Sequence, residues 1–393
     1  MDSFDVAKAR AETPACETLL HFNNAGAALA PRPVLEAVHA HLDREAAIGS
    51  YEAEADAEGA IEHTYDAIAA MLGCARDEVA LIENATRAWD MAFYAMPFGP
   101  GDRILTGKAE YASNVIAFLQ VAKRTGARLE VVPDDEHGQI DVEALRAMID
   151  DRVKLIALTH VPTNSGLVNP AAEVGAVARA AGVPFLLDAC QSAGQIPLKV
   201  DELGCDMLSA TGRKYLRGPR GTGFLYVRRP WIERLEPPLL DLHAARWTGP
   251  DDFEIRPDAR RFENWESFVA GKIGLGVAVD YALGWGLEAI QARVTGLAER
   301  LRARLAEIPG VVVRDKGLRR CGLVTFTIEG EKAAAFRDRA RAAGANCWTS
   351  PLEFTRFDMA ERRLEWVVRA SVHYYNTDEE VACFCRLVAE GPA

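Results

Sequence analysis

From about residue 75 to 230, short apolar runs alternate with stretches whose apolar positions recur every three to four residues. The runs VALIE (79–83), RILTG (103–107), LEVVP (129–133), KLIALTHV (154–161), VPFLLDA (183–189), CDMLSA (205–210) and GFLYV (223–227) predict seven strands. Between them, 113–125, 141–150 and 171–181 carry Ala-rich helical periodicity, and two of these close at Gly126 and Gly182. Strands rich in Val, Ile and Leu, separated by helices, predict an α/β fold with a mostly parallel sheet buried on both faces. The stretch 268–308 reads as helical with a break near Gly284 and Gly286. The pattern then changes: GLVTFTI (322–328), a helix near 331–343, RLEWVVRASV (363–372) and a last helix near 378–390 predict a smaller α+β unit. The expected organisation is a large domain over 18–285 and a small one over 286–393. Residues 1–17 are too short to fold alone and are expected to pack on the second.

Lys plus Arg is 45 and Asp plus Glu is 57, a net charge of −12. That argues against broad binding to nucleic acid or an anionic membrane, while leaving room for a local basic pocket. No apolar run approaches the ~20 residues of a membrane span. The N-terminal MDSFDVAKARAETPACE lacks an apolar signal core, which points to the cytoplasm. The eight cysteines are scattered, with no C-x-x-C and no zinc-type Cys/His spacing, so neither a disulfide framework nor a metal site is expected.

Open parallel sheets bind ligands beyond the carboxyl ends of their strands, so the polar residues after each apolar run carry the candidate chemistry. KLIALTHV is followed by Pro162-Thr163-Asn164-Ser165-Gly166, and VPFLL by Asp188 with Gln191 and Ser192 behind it. CDMLSA is followed by Thr211-Gly212-Arg213-Lys214, and RILTG by Glu110, Tyr111, Ser113 and Asn114. VALIE leads through Asn84, Ala85 and Thr86 into a helix start. One helix N-terminus, one carboxylate, one lysine and one aromatic thus converge. That set suits pyridoxal phosphate, which needs an amine to bond, a carboxylate to keep its ring nitrogen protonated, and donors for its phosphate.

From FNNAGAALAP (22–31) to RASVHYYNT (369–377) the chain resembles the class V aminotransferases of pyridoxal-phosphate fold type I, which include cysteine desulfurases, selenocysteine lyases and C–S lyases. The most specific segment is LLDACQSAGQIPLKVDELGCDMLSATGRKYLRGPRGTGFLYV (186–227). The resemblance implies a large domain with a seven-stranded sheet, a smaller C-terminal domain, a homodimer, and a small amino-acid substrate. It implies that Lys214 bonds the cofactor, that Asp188 pairs with the pyridine nitrogen, and that Gln191 and Asn164 bond the ring hydroxyl. Ala85, Thr86, Thr211 and Arg213 would hold the phosphate; Tyr111 would stack on the ring and serve as proton donor; Asn24 and Arg369 would bind substrate, Arg369 by a bidentate grip on its carboxylate.

Two departures bear on the reaction. Desulfurases carry a nucleophilic Cys on a loop shortly before the Arg369 motif, whereas here the stretch GANCWTSPLEFTRFDMAERRLEWVVR holds only Cys347, at a place read as the end of a strand. RFENWES (261–267) replaces the usual R-F-E-x-G-T, so the Thr that reaches a neighbouring subunit's phosphate is absent. Together with GRKYLRGPRGTG, these features look closest to the C–S lyase branch that includes the ergothioneine-pathway sulfoxide lyases. The expected reaction is therefore β-elimination from a cysteine-derived substrate, yielding pyruvate and ammonia. The alternatives are a desulfurase or selenocysteine lyase that releases alanine, and an epimerase or aminotransferase. Cys347 and Cys190 are read as packing residues and His160 as a structural hydrogen-bonder. Arg217 and Arg220 are open between a solvated turn and attraction of an acidic substrate, and Trp265 and Glu266 between the site and an interface.

Overall fold

The computed structural model describes residues 4–391, so the outermost ends of the ranges 1–17 and 286–393 lie outside the described residues. All seven expected strands form, as β1 (Val79–Ile82), β2 (Arg103–Thr106), β3 (Arg128–Val131), β4 (Val153–Thr159), β5 (Phe185–Asp188), β6 (Met207–Thr211) and β7 (Gly223–Val227). They join one sheet in the order β1-β7-β6-β5-β4-β2-β3. Every residue of β1, β5, β6 and β7 is buried, as strands covered on both faces require. β7 runs antiparallel to β1 and to β6, and the other pairs are parallel. The reason is the connection: β6 passes to β7 through the turn 212–222 with no crossover helix, and a parallel neighbour would need one.

The crossover helices Ala112–Thr125, Val142–Met148 and Ala171–Ala181 occupy the expected stretches. The first and third end on Gly126 (φ 81°) and Gly182 (φ 67°), left-handed positions that cost glycine nothing. Helices Arg32–Ile48 and Glu58–Leu72 pack against Val269–Trp285. Gly274 and Gly276 allow this approach, since a Cβ on Gly274 would lie 2.6 Å from a Val38 methyl and one on Gly276 would collide with the Thr64 hydroxyl.

Val269–Trp285 and Leu287–Ala306 meet at Gly286 with a bend of 79°. Among the described residues no single helix is long and apolar enough to cross a membrane. Beyond the bend, strands Val311–Val313, Leu323–Ile328, Trp366–Ser371 and Trp348–Pro351 form a four-stranded antiparallel sheet in that spatial order. It is backed by Ala333–Ala342 and Asp378–Ala389, the latter opened by a Thr377–Glu380 capping box. The N-terminal segment reaches this region: Leu20–His21 pairs with Ala345–Asn346, and Arg10 bonds the Tyr375 carbonyl and Glu380.

Candidate active site

The carboxyl ends of β2, β4, β5 and β6 open toward one cavity of about 320 Å³. Of the expected site residues, Tyr111, Gln191, Arg213, Lys214 and Arg369 line it, while Asp188, Asn164, Ala85, Thr86, Thr211 and Asn24 are off its wall. Asn23, Ala25, Gly26, Ala27, Thr163, Arg220, Trp348 and Phe354 complete the wall. Trp348 and Arg369 come from a different sheet and Phe354 from the turn beside it, all more than 130 residues downstream of Lys214, so no local motif could place them.

Lys214 follows β6, whose last residue is Thr211. Burial, aided by Arg213, pushes its amine below the ordinary lysine value. Asp188 ends β5 and is 5% exposed. Its Oδ1 accepts the Cys190 N–H at 2.9 Å and its Oδ2 accepts the Asn114 amide at 3.1 Å. Tyr111 stands at the start of the Ala112–Thr125 helix with its ring edge-on to Phe354, centroids 6.4 Å apart. Burial first, then Cys190 and Asp188, push its phenol up, which keeps the proton on it.

Arg369 sits in the Trp366–Ser371 strand, 5% exposed, and donates to the Thr163 hydroxyl at 2.5 Å. Its Nε is buried without a partner, and no carboxylate bridges it among the described residues. Burial lowers its pKa to about 10. A buried guanidinium without an anion is costly, and a ligand carboxylate relieves that cost.

The two buried amides are half-occupied. Gln191 Nε2 donates to the Ala25 carbonyl at 3.0 Å while its Oε1 has no partner. Asn164 Nδ2 donates to the Thr355 hydroxyl at 3.0 Å and contacts Met359 Sδ, and its Oδ1 has no partner. Asn164 itself is buried behind Thr163, which faces the cavity.

At the other end of the site the Ala85–Phe93 helix begins. The Asn84 side chain accepts the Arg87 N–H, leaving the Ala85 and Thr86 N–H groups for a ligand. Gly223, paired with Thr211 across β6 and β7, is backed against this helix start. A Cβ there would lie 2.6 Å from the Ala210 carbonyl oxygen and 3.1 Å from the Asn84 carbonyl carbon. The Arg213 guanidinium bonds the Gly26 carbonyl.

The structure corrects Asn24. Its side chain is fully buried, donating to the Ser371 carbonyl at 2.7 Å and accepting from the Tyr375 hydroxyl, because residues 20–25 must be tied to the small-domain sheet. Asn23, with an unpartnered Oδ1, faces the cavity instead. The open alternatives at Arg217 and Arg220 separate. Arg217 is 1% exposed and donates to the Leu29 carbonyl, the Tyr374 hydroxyl and the Thr13 hydroxyl, so it is a structural tie. Arg220 is exposed and lines the cavity. Burial takes His160 down to about 4, leaving a neutral imidazole whose main-chain N–H donates to the Asp188 carbonyl.

The family described as aminotransferase class-V matches residues 20–384. This chain belongs to that family. A probable cysteine desulfurase of Xylella fastidiosa (strain 9a5c) is 32% identical over 378 residues, covering 93% of this chain and 89% of the relative. The apo cysteine desulfurase of Thermococcus onnurineus NA1 superposes with a TM-score of 0.88 at 26% identity, over 98% of this chain and 97% of the other. The cysteine desulfurase CsdA of Escherichia coli gives a TM-score of 0.91 at 23% identity, over 99% and 98% of the two chains, which shows the shared fold. The residues of this class V chain fit pyridoxal phosphate. There is a buried amine, a carboxylate at a strand end, two amide oxygens lacking partners, and a helix start that faces a strand end kept free of side chains by Gly223.

Proposed function

We propose that this class V protein is a pyridoxal-phosphate-dependent C–S lyase acting on cysteine or a cysteine-type amino acid. The observation that carries the reading is the convergence of Lys214 and the unpaired Arg369 on one cavity, with Asp188 at the end of strand β5 three residues before the wall residue Gln191, in a chain whose relatives are named cysteine desulfurases. Bound pyridoxal phosphate supplies an electron sink for the bonds at the substrate Cα. Arg369 grips the substrate carboxylate and fixes which bond lies over the ring. Lys214 would hold the cofactor through its amine and would be the base nearest the substrate Cα proton. Asp188 keeps a negative charge at the ring nitrogen, and Tyr111 offers a proton to the departing sulfur. The Ala85 and Thr86 N–H groups, Thr211 and Arg213 would hold the phosphate.

Within that class, the names of the relatives support sulfur transfer with release of alanine, ahead of the β-elimination first expected from the sequence. One observation favours elimination as the second reading. A sulfur-accepting thiolate must be accessible and of lowered pKa. Cys347 is 5% exposed, absent from the cavity wall, and pushed by burial up to about 12. The wall segment 348–365 has no cysteine at all. Cys347→Ala should therefore keep C–S cleavage within about threefold of wild type, the loss being that of a small packing defect. The check is a product assay on cysteine and S-substituted cysteines, scoring alanine, pyruvate and ammonia, with intact mass of the protein. Collapse of alanine formation, with a one-sulfur adduct on Cys347, would establish it as the acceptor and exclude elimination.

Arg369→Ala should raise KM far more than it lowers kcat, with kcat/KM down on the order of 10²–10³-fold, as for removal of one partner of a buried charge pair. Steady-state kinetics on the preferred substrate test this, and an unchanged KM would remove Arg369 from the carboxylate site.

The reading extends to a homodimer in the cytoplasm, with the chain divided into units 18–285 and 286–393. Exposed Leu242, Trp247, Phe253, Trp265 and Phe268 support a second copy, and eight unpaired cysteines support a reducing compartment.

A further inference from the structure

Behind Asp188 lies a second carboxylate. Glu110 follows β2 at the entry to the Ala112–Thr125 helix and is 2% exposed. Five donors point at its two oxygens: the Thr106 hydroxyl at 3.0 Å, the Tyr111 N–H at 2.9 Å, the Asn114 amide at 2.8 Å, the Thr159 N–H at 2.9 Å and the Thr159 hydroxyl. Burial first, and the neighbouring Asp188, push the Glu110 carboxyl up; the five donors oppose this, because an ionised carboxylate is acceptor-only and this shell matches it. The same Asn114 Nδ2 that bonds Glu110 Oε1 bonds Asp188 Oδ2 at 3.1 Å, so one amide group links the two carboxylates.

The charged and titratable groups around the pair are Tyr111 and Cys190, both held protonated by burial, His160, which is neutral, and the cations Lys214, Arg213 and Arg369. Among the described residues none of the cations bonds either carboxylate. Two carboxylates thus share a buried site with no directly paired cation, and a protonated ring nitrogen facing Asp188 would supply the positive charge that this arrangement lacks.

We propose that Glu110 is a positioning residue: through Asn114 it orients Asp188 and places a second negative charge behind it, raising the proton affinity of the cofactor's ring nitrogen. The inference rests on the pyridoxal phosphate reading above. A unit charge at this depth should be felt as a shift of about one pH unit or more in ring protonation.

The test compares the wild-type protein with Glu110→Gln, which keeps the shape and removes the charge, and Glu110→Asp, which keeps the charge. Each is loaded with ring-¹⁵N-labelled pyridoxal phosphate, and ring protonation is followed against pH by ¹⁵N shift and visible absorbance. Melting of the cofactor-free forms and borohydride fixation on Lys214 report fold and loading. In Glu110→Gln the ring nitrogen should lose its proton about one pH unit or more below wild type, while Glu110→Asp returns the profile to within a few tenths. An unchanged profile in folded, loaded Glu110→Gln would overturn the proposal and leave the cofactor reading standing. A wild-type chain that fixes no cofactor on Lys214 would overturn both. Should Glu110→Gln fail to fold, infrared spectra of wild type at neutral pH replace it: carboxylate bands alone support an ionised Glu110, and a buried carboxylic-acid stretch lost in Glu110→Asp overturns the proposal.

Discussion

Lys214→Ala is expected to abolish turnover, by on the order of 10⁴-fold or more, and to leave no cofactor fixed to the protein after borohydride reduction. Two functions vanish together: the amine that bonds the cofactor and the base closest to the substrate Cα. The fold should survive, because Lys214 makes no ion pair among the described residues and truncation relieves a buried amine of its desolvation. Burial and Arg213 hold the amine below the ordinary lysine value of 10.5, so the neutral, reactive form is present at lower pH than on a free lysine. In the wild-type apo protein the rate of cofactor capture should rise with pH and level off below 10.5. Peptide mapping of the reduced holoprotein is the direct check. A modified peptide other than the one spanning Lys214, or near-normal turnover in a folded variant, would defeat the assignment.

For Asp188→Ala the cofactor should still be captured, since Lys214 remains, while kcat falls about 10²–10³-fold, the range for loss of one preorganised charge or donor in a transition state. The carboxylate acts at a distance from the bonds that break: it holds the ring nitrogen protonated, so that negative charge developing at Cα has somewhere to go. The substitution also strands the Cys190 N–H and the Asn114 amide, which both point at Asp188, and should cost about 1–3 kcal/mol of stability. Borohydride fixation, kcat and melting separate these effects. Capture retained with kcat lost supports the role, and wild-type kcat in a variant confirmed to be folded removes it.

Much of the fold was legible locally. Seven apolar runs became the seven strands of the large sheet, and Gly126 and Gly182 closed their helices, because strand and helix periods and left-handed stops are written within a few residues of the positions they govern. Four of the five loops flagged after those strands meet at one cavity, since the carboxyl ends of parallel strands must face the same edge of the sheet; the Asn84–Thr86 loop lies off its wall. Tertiary structure alone decided what depends on the direction of a side chain or on a distant segment. Asn24 turned into the small-domain contact and Asn23 into the cavity, a choice between neighbours that composition cannot make. Arg217 became a buried tie among Leu29, Tyr374 and Thr13, while Arg220, three residues on, reached the cavity. Trp348 and Arg369 arrive from a separate sheet and Phe354 from the helical turn that follows one of its strands, and Cys347 is buried beside Trp348 without reaching the wall. The link from Glu110 through Asn114 to Asp188 spans 74 residues of chain between its last two members. Periodicity reports which face of an element is buried. Which polar atoms then meet inside is set by how whole elements pack, and that information is not local.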